Sequence, residues 1–218
     1  MIATASNRIA AAVAAVVAFA LFLALGFAVS RNGEPASLLP WEQGLANHST
    51  LLAWWLTWAC YVPVLVPLAV ILLILAWRFP AWRARIVFSI VMLLLCWRGA
   101  DLFQHLFARP RRLDWVVRHE SAFSYPSSHA AIATGFYLLW AWMLYAAAPA
   151  TATKRVAAVL LALFAIAVCW SRLSLGAHYV TDLIGGVLLA AALVKGAWAA
   201  VPVNLVGPVA GRPRHSAE

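Results

Sequence analysis

The sequence predicts an all-α, polytopic membrane protein with six transmembrane helices in one bundle. Three observations predict it. The 218 residues are 65% hydrophobic and 11% charged, against roughly 45–50% and 25% in a soluble domain. Six stretches are each apolar over the 20 or so residues that a bilayer-spanning helix needs. The cations between those stretches are distributed as membrane topology requires. No repeat or linker divides the chain, so one domain over 1–218 is expected, with its chemistry-bearing motifs within 98–186.

The expected spans are at about residues 9–29, 50–77, 85–107, 127–148, 155–175 and 179–200. The first, "IAAAVAAVVAFALFLALGFAV", exceeds the apolar core of a signal peptide and is read as a retained span that also targets the chain. The second contains Pro63 and Pro67, expected to kink it, which multi-span bundles tolerate. The third carries a polar stripe, Arg98, Asp101, Gln104 and His105, expected to face the bundle interior and to lead toward Arg109, Arg111 and Arg112. For Arg98 and Asp101 themselves an internal ion pair is favoured. The fourth starts at "YPSSHA", with Pro126 suited to a first helical position. The fifth ends near Arg172, with Gly176 as its stop, and the sixth begins at His178.

Charge sets the orientation. Arg8, Arg78, Arg83, Arg85, Lys154, Arg155, Arg212 and Arg214 all fall on one side of a six-span chain. The positive-inside rule makes that side cytoplasmic. The net charge of +9 is therefore ascribed to loops and an anion site, and nucleic acid is excluded as a partner. On the opposite side, "ARPRRLDWVVRHESAFSYP" breaks the rule with four arginines, and binding an anion is a good reason for that. Of the 12 tryptophans, Trp41, Trp54, Trp55, Trp58, Trp77 and Trp82 lie near span ends or one or two turns in, and interfacial anchoring explains most of them. Cys60, Cys96 and Cys169 lie inside apolar runs as core side chains.

Three short stretches carry the candidate chemistry. In "SRLSLGAHYVTD", His178 and Asp182 are four apart and share a helix face. A carboxylate on one ring nitrogen leaves the other basic, as a nucleophile or base requires. The plainer alternative is a carboxylate at a helix start beside an interfacial histidine. Arg172 faces the same water layer, as an anion clamp or as a snorkelling cation, and Ser171 reads as a packing contact. In "YPSSHA", Ser127, Ser128 and His129 bring hydroxyls, amides and a second imidazole to a helix N-terminus. An ordinary serine cap beside a boundary histidine is the alternative there. In "FARPRRL", Arg109, Arg111 and Arg112 are candidate phosphate donors. All three stretches converge at one end of the bundle, an arrangement suited to phosphoryl transfer without a metal.

These residues resemble the type-2 phosphatidic acid phosphatase and haloperoxidase superfamily, in its bacterial integral-membrane branch. The family's third motif, Ser-Arg, five residues, His, three residues, Asp, is matched by Ser171, Arg172, His178 and Asp182. Its second, Pro-Ser-Gly-His, is matched by Pro126, Ser127 and His129, with Ser128 in the glycine place. Its first, Lys, six residues, Arg-Pro, is incomplete. The preferred register puts Gln104 at the lysine, Arg111 at the arginine and Arg112 at the proline; the other uses Arg109-Pro110 and puts Leu102 at the lysine.

The resemblance implies a lipid phosphatase acting on a lipid phosphate or diphosphate, such as phosphatidic acid or undecaprenyl diphosphate. It implies His178 as nucleophile forming a phosphohistidine, Asp182 supporting it, and His129 as proton donor to the leaving oxygen. Arg111, Arg172, Ser127, Ser128, Gln104 and Arg109 would hold the phosphate. No metal or cofactor is implied. The expected partners are the lipid substrate and membrane lipids, and the expected place is the bacterial inner membrane with the site facing the periplasm. A lipid phosphotransferase, or a lipid-binding protein with a weakened site, is the alternative; the missing lysine supports the latter, and the intact His129, His178 and Asp182 oppose it.

Overall fold

Lipid offers backbone N–H and C=O groups no partner, so long apolar runs close their hydrogen bonds internally as helices. The computed structural model describes residues 5–48, 50–111, 122–147 and 150–201, and among them every regular element is helical. The helices are α1 (Ala5–Asn32), α2 (Leu39–Asn47), α3 (Leu51–Thr57), α4 (Val62–Arg78), α5 (Arg83–Phe107), α6 (Ser128–Ile132), α7 (Leu139–Ala146), α8 (Ala152–Ser174) and α9 (Val180–Ala200). Four of them, α1, α5 with the turn before it, α8 and α9, are long and apolar enough to cross a membrane. The pair Leu51–Cys60 and Val62–Arg78, bent by 51°, passes the same test when taken together, as one broken span or a re-entrant loop. The run from α6 through a π turn (Ala133–Leu138) to α7 completes the bundle.

Two departures from the expected outline bear on the site. The bend in the second span falls at Tyr61, ahead of Pro63 at the start of α4, while Pro67 is accommodated inside that helix. A 3₁₀ turn (Trp58–Cys60) leads into the break, and the freed Ala59 carbonyl accepts a hydrogen bond from the Tyr137 hydroxyl at 2.7 Å. The stretch 30–49, expected as a loop, contains α2. Pro40 occupies its first turn, and its Glu42 side chain is buried.

The polar stripe of α5 also divides. Gln104 faces inward and is buried. Arg98, Asp101 and His105 face outward, with side chains 69%, 44% and 69% exposed. The expectation that all four line the interior is corrected. One face of α5 packs against α1, α4, α6 and α9, and only the Gln104 side is turned into those neighbours. The pairing of Arg98 with Asp101 is present, at 3.6 Å.

An aromatic cluster fastens the site end of the bundle. Phe22 of α1 stacks on Tyr125 at 5.5 Å between ring centres and meets Phe103 of α5 edge-on at 4.8 Å. Each such pair contributes about 0.5–1.5 kcal/mol beyond its burial. The Tyr125 hydroxyl donates to the Phe22 carbonyl at 2.6 Å. Tyr125 precedes the Pro126-Ser127 step, so α1 indirectly locates the head of α6. An apolar cavity of about 490 Å³ lies at the other end, lined by Leu75, Phe79, Trp82, Ile86, Trp140 and Leu144 among others.

Candidate active site

The chain reverses between α8 and α9 on a glycine. Gly176 has φ of +60°, a conformation that suits glycine after a helix. Its N–H donates to Leu173 O at 2.6 Å, and the Ala177 N–H donates to Arg172 O at 2.8 Å. This paired closure ends α8 and delivers His178 two residues later, beside the start of α9. The expected stop at Gly176 is present.

Asp182 lies in the first turn of α9 and is fully buried. Its Oδ2 accepts from the Tyr179 backbone N–H at 3.0 Å, from the Ser124 hydroxyl, and from His178 Nδ1 at 3.3 Å. Its Oδ1 accepts from Arg109 Nη1 at 2.6 Å. Four donors on one carboxylate meet the requirement that a buried charge be paired and hydrogen-bonded.

The other His178 nitrogen, Nε2, lies 3.4 Å from Arg111 Nη1. A guanidinium only donates, so Nε2 is the acceptor and the ring proton sits on Nδ1, toward Asp182. Arg111 is held by its Nη1 to Ala177 O at 2.7 Å and by its Nε to Ala122 O at 2.5 Å. Burial holds the His178 imidazole well below its ordinary titration value. Arg111 and Arg172 act in the same direction, and Asp182 opposes them. The ring is thus kept neutral with a lone pair on Nε2.

Arg172, in the last turn of α8, is almost wholly buried. It donates to the Thr57 hydroxyl at 2.6 Å and to the Tyr61 hydroxyl at 3.3 Å. The Tyr61 ring in turn meets the His129 ring edge-on, 4.8 Å between centres. The bend of the second span thus places a phenol between Arg172 and His129. Ser127 caps α6, its hydroxyl accepting from the Ala130 N–H at 3.3 Å. The Ser127 N–H donates to Asp182 O at 3.0 Å, which joins the heads of α6 and α9 directly. Ser128 follows, half-buried, and His129 is buried.

Residues 98–205 match the model of the PAP2 superfamily. Phosphatidylglycerophosphatase B of Bacillus subtilis (strain 168) is 39% identical over 96 residues, which are 38% of this chain and 47% of that protein. The chain thus spans about half the length of this curated relative. A crystal structure of a transmembrane PAP2-type phosphatidylglycerolphosphate phosphatase from Bacillus subtilis has the same fold, with a TM-score of 0.71 and 23% identity. The match covers 86% of this chain and 94% of that one.

Of the positions that carry the PAP2 resemblance, the structure groups His178, Asp182, Arg111 and Arg172 at one end of the bundle, with Ser127, Ser128 and His129 at the adjoining helix head. Two expected phosphate donors are corrected. The Gln104 amide donates to Pro126 O at 2.8 Å, deep in the core, and ties α5 to the second motif. Arg109 pairs with carboxylates instead, at 2.6 Å with Asp182 and 2.8 Å with Glu34, its side chain 3% exposed. Both donate inward because buried acceptors there require them. Ser171 donates to Val168 O within its own helix, a packing role. Arg112 lies outside the described residues, as do Arg212 and Arg214.

Sequence reasoning missed Glu34, Thr57, Tyr61, Ser124 and Thr181. A signal existed for Glu34. The chain has seven acidic residues, and two of them, Glu34 and Glu42, fall in one short segment outside the spans. Ser124 adjoins the second motif. Thr57 and Tyr61 carried no local signal, since only the bend brings them to Arg172.

Proposed function

We propose that this protein is a membrane lipid phosphatase that hydrolyses a lipid phosphate or diphosphate through a phosphohistidine on His178. The observation that carries this reading is the buried His178 ring, 3.3 Å from Asp182 at Nδ1 and 3.4 Å from Arg111 at Nε2. The name of the Bacillus relative favours a phosphatidylglycerol phosphate among the possible substrates.

In this reading the phosphate of the lipid displaces Arg111 from Nε2 and binds Arg111 and Arg172, with Ser127 and Ser128 at the head of α6. The Nε2 lone pair attacks phosphorus, a P–N bond forms, and the P–O bond to the lipid breaks. Asp182 offsets the positive charge that develops on the ring. His129 gives its proton to the leaving lipid oxygen, then takes one from the water that cleaves the P–N bond. Inorganic phosphate leaves and both histidines return to their starting states. The cations at the far end of the bundle, Arg8, Arg78, Arg83, Lys154 and Arg155, support an inner-membrane protein with the site on the periplasmic side.

Phosphate release from phosphatidylglycerol phosphate, phosphatidic acid and undecaprenyl diphosphate, measured in detergent with EDTA present, tests the reading. Release from at least one substrate is expected. His178→Ala is expected to abolish it, and His129→Ala to slow it by about 10²–10⁴-fold. An active His178→Ala variant removes the nucleophile. EDTA-sensitive turnover removes the metal-free route, and transfer to a second lipid in place of water makes the protein a phosphotransferase.

A further inference from the structure

Asp182 does not meet His178 with its full charge unless something compensates Arg109. That guanidinium sits 2.6 Å from Asp182 Oδ1, closer than the imidazole at 3.3 Å from Oδ2. An arginine paired with one buried carboxylate would cancel most of the field that the carboxylate exerts on the ring. A second carboxylate is present. Glu34, in the segment between α1 and α2, accepts from Arg109 Nη2 at 2.8 Å, and its side chain is 1% exposed. The Thr181 hydroxyl also donates to Glu34 and accepts from Arg109 Nη1 at 2.8 Å. Arg109 is stacked over the Tyr179 ring, 4.3 Å from its centre. The cluster Glu34–Arg109–Asp182 therefore carries one net negative charge, with the imidazole at its edge.

We propose that Glu34 and Arg109 are positioning residues that set the charge and orientation of Asp182 toward His178, Glu34 doing so by neutralising Arg109. This rests on the reading of His178 as nucleophile. Other charged or titratable groups also face the ring's surroundings. Arg111 comes from the segment after α5, Arg172 from α8 and His129 from α6. Tyr61 comes from the break before α4, and Glu42 from α2, where it accepts from the Val180 N–H at 2.7 Å. None of these changes in the variants below.

The signs follow from charge. Glu34→Gln removes a negative charge and leaves Arg109 to draw on Asp182 alone, so His178 binds its proton more weakly. Arg109→Gln removes the positive charge, so His178 binds its proton more tightly. The double variant removes one charge of each sign and restores the net value. A merely structural role predicts none of this, since loosening the cluster moves both single variants the same way.

The test is a histidine nitrogen NMR titration of the full chain in detergent micelles, with the His178 resonance assigned from His178→Gln. It is run alongside kcat and KM for the best lipid phosphate. Expected are a fall of about tenfold in the proton affinity of His178 in Glu34→Gln and a rise of about tenfold in Arg109→Gln. The double variant is expected near the parent, and Glu34→Asp closer to the parent than Glu34→Gln. The kcat of Glu34→Gln should fall about tenfold or more with KM changed less than about threefold. Unmoved or parallel titrations in the two single variants overturn the proposal, as does a parental kcat in Glu34→Gln. If a single variant does not fold, the double variant and Glu34→Asp still decide: a double variant displaced from the parent by as much as tenfold overturns it. Failure of the nucleophile reading shows separately, as turnover that survives His178→Ala while the titration shifts persist.

Discussion

At the residue scale, the state of His178 makes a prediction about acid. The unfolded imidazole titrates at about 6.5, and burial with Arg111 and Arg172 lowers it in the folded protein. Protonation removes the attacking lone pair, so the acid limb of kcat/KM is expected below pH 6.5. A limb at or above that value contradicts the neutral ring. Gln104 makes a different prediction, about stability. Gln104→Leu leaves the buried Pro126 carbonyl without its donor, at a cost of about 1–3 kcal/mol, read as a lower unfolding temperature in detergent. The residues that meet at the candidate site were legible because their types and spacings are local, as with His178 and Asp182 four apart. Their partners were not. Arg109 meets Glu34 across 75 residues of chain, and nothing in the local sequence near "RPRR" indicates whether an arginine will meet a phosphate or a carboxylate.

At the scale of elements, the contact between α6 and α9 is close enough to leave no room for a side chain. A Cβ at Gly186 would stand 2.5 Å from Ser127 O and 2.9 Å from Ala131 N, both backbone atoms that cannot step aside. Gly186→Ala is expected to push the two helix heads apart, break the Ser127–Asp182 backbone bond and abolish turnover. Gly99→Ala, whose new methyl would meet only Leu193 and Leu189 side chains at 3.8–3.9 Å, is expected to leave turnover near the parent value. Turnover assays of the two variants side by side check the pair. The long helices were readable because apolar length is a property of the sequence alone. The direction in which α5 turns its polar residues was not. Successive residues differ by about 100° around a helix, so Gln104 and His105 point to different neighbours, and the packing of α1, α4, α6 and α9 chooses between them. The break at Tyr61 was half-visible in Pro63, but its purpose depends on Arg172 and His129, which lie on other helices.

At the scale of the whole molecule, the bundle is polarised. Cations gather at one end, while the two histidines, Arg111 and Arg172 gather at the other. A cysteine replacing Gly44, on the exposed side of α2, is expected to react in intact cells with a maleimide that cannot cross the inner membrane, and one replacing Ala81 to react only after lysis. The reverse pattern would invert the topology. The first and last described helices also lie against each other. Arg8 of α1 donates to the carbonyls of Ala199 and Ala200, and α1 runs along α9. His178 and Asp182 arrive with α8 and α9, while Glu34, which pairs with the Arg109 that meets Asp182, precedes α2. On the proposed reading, a ribosome-bound chain therefore carries no finished site until α9 enters the membrane, and no turnover is expected before then. A chain divided between Ala150 and Thr151 should then be inert as either half. It should recover phosphate release when both halves are made in one cell, a complementation that reports on docking of the last helical hairpin rather than on chemistry.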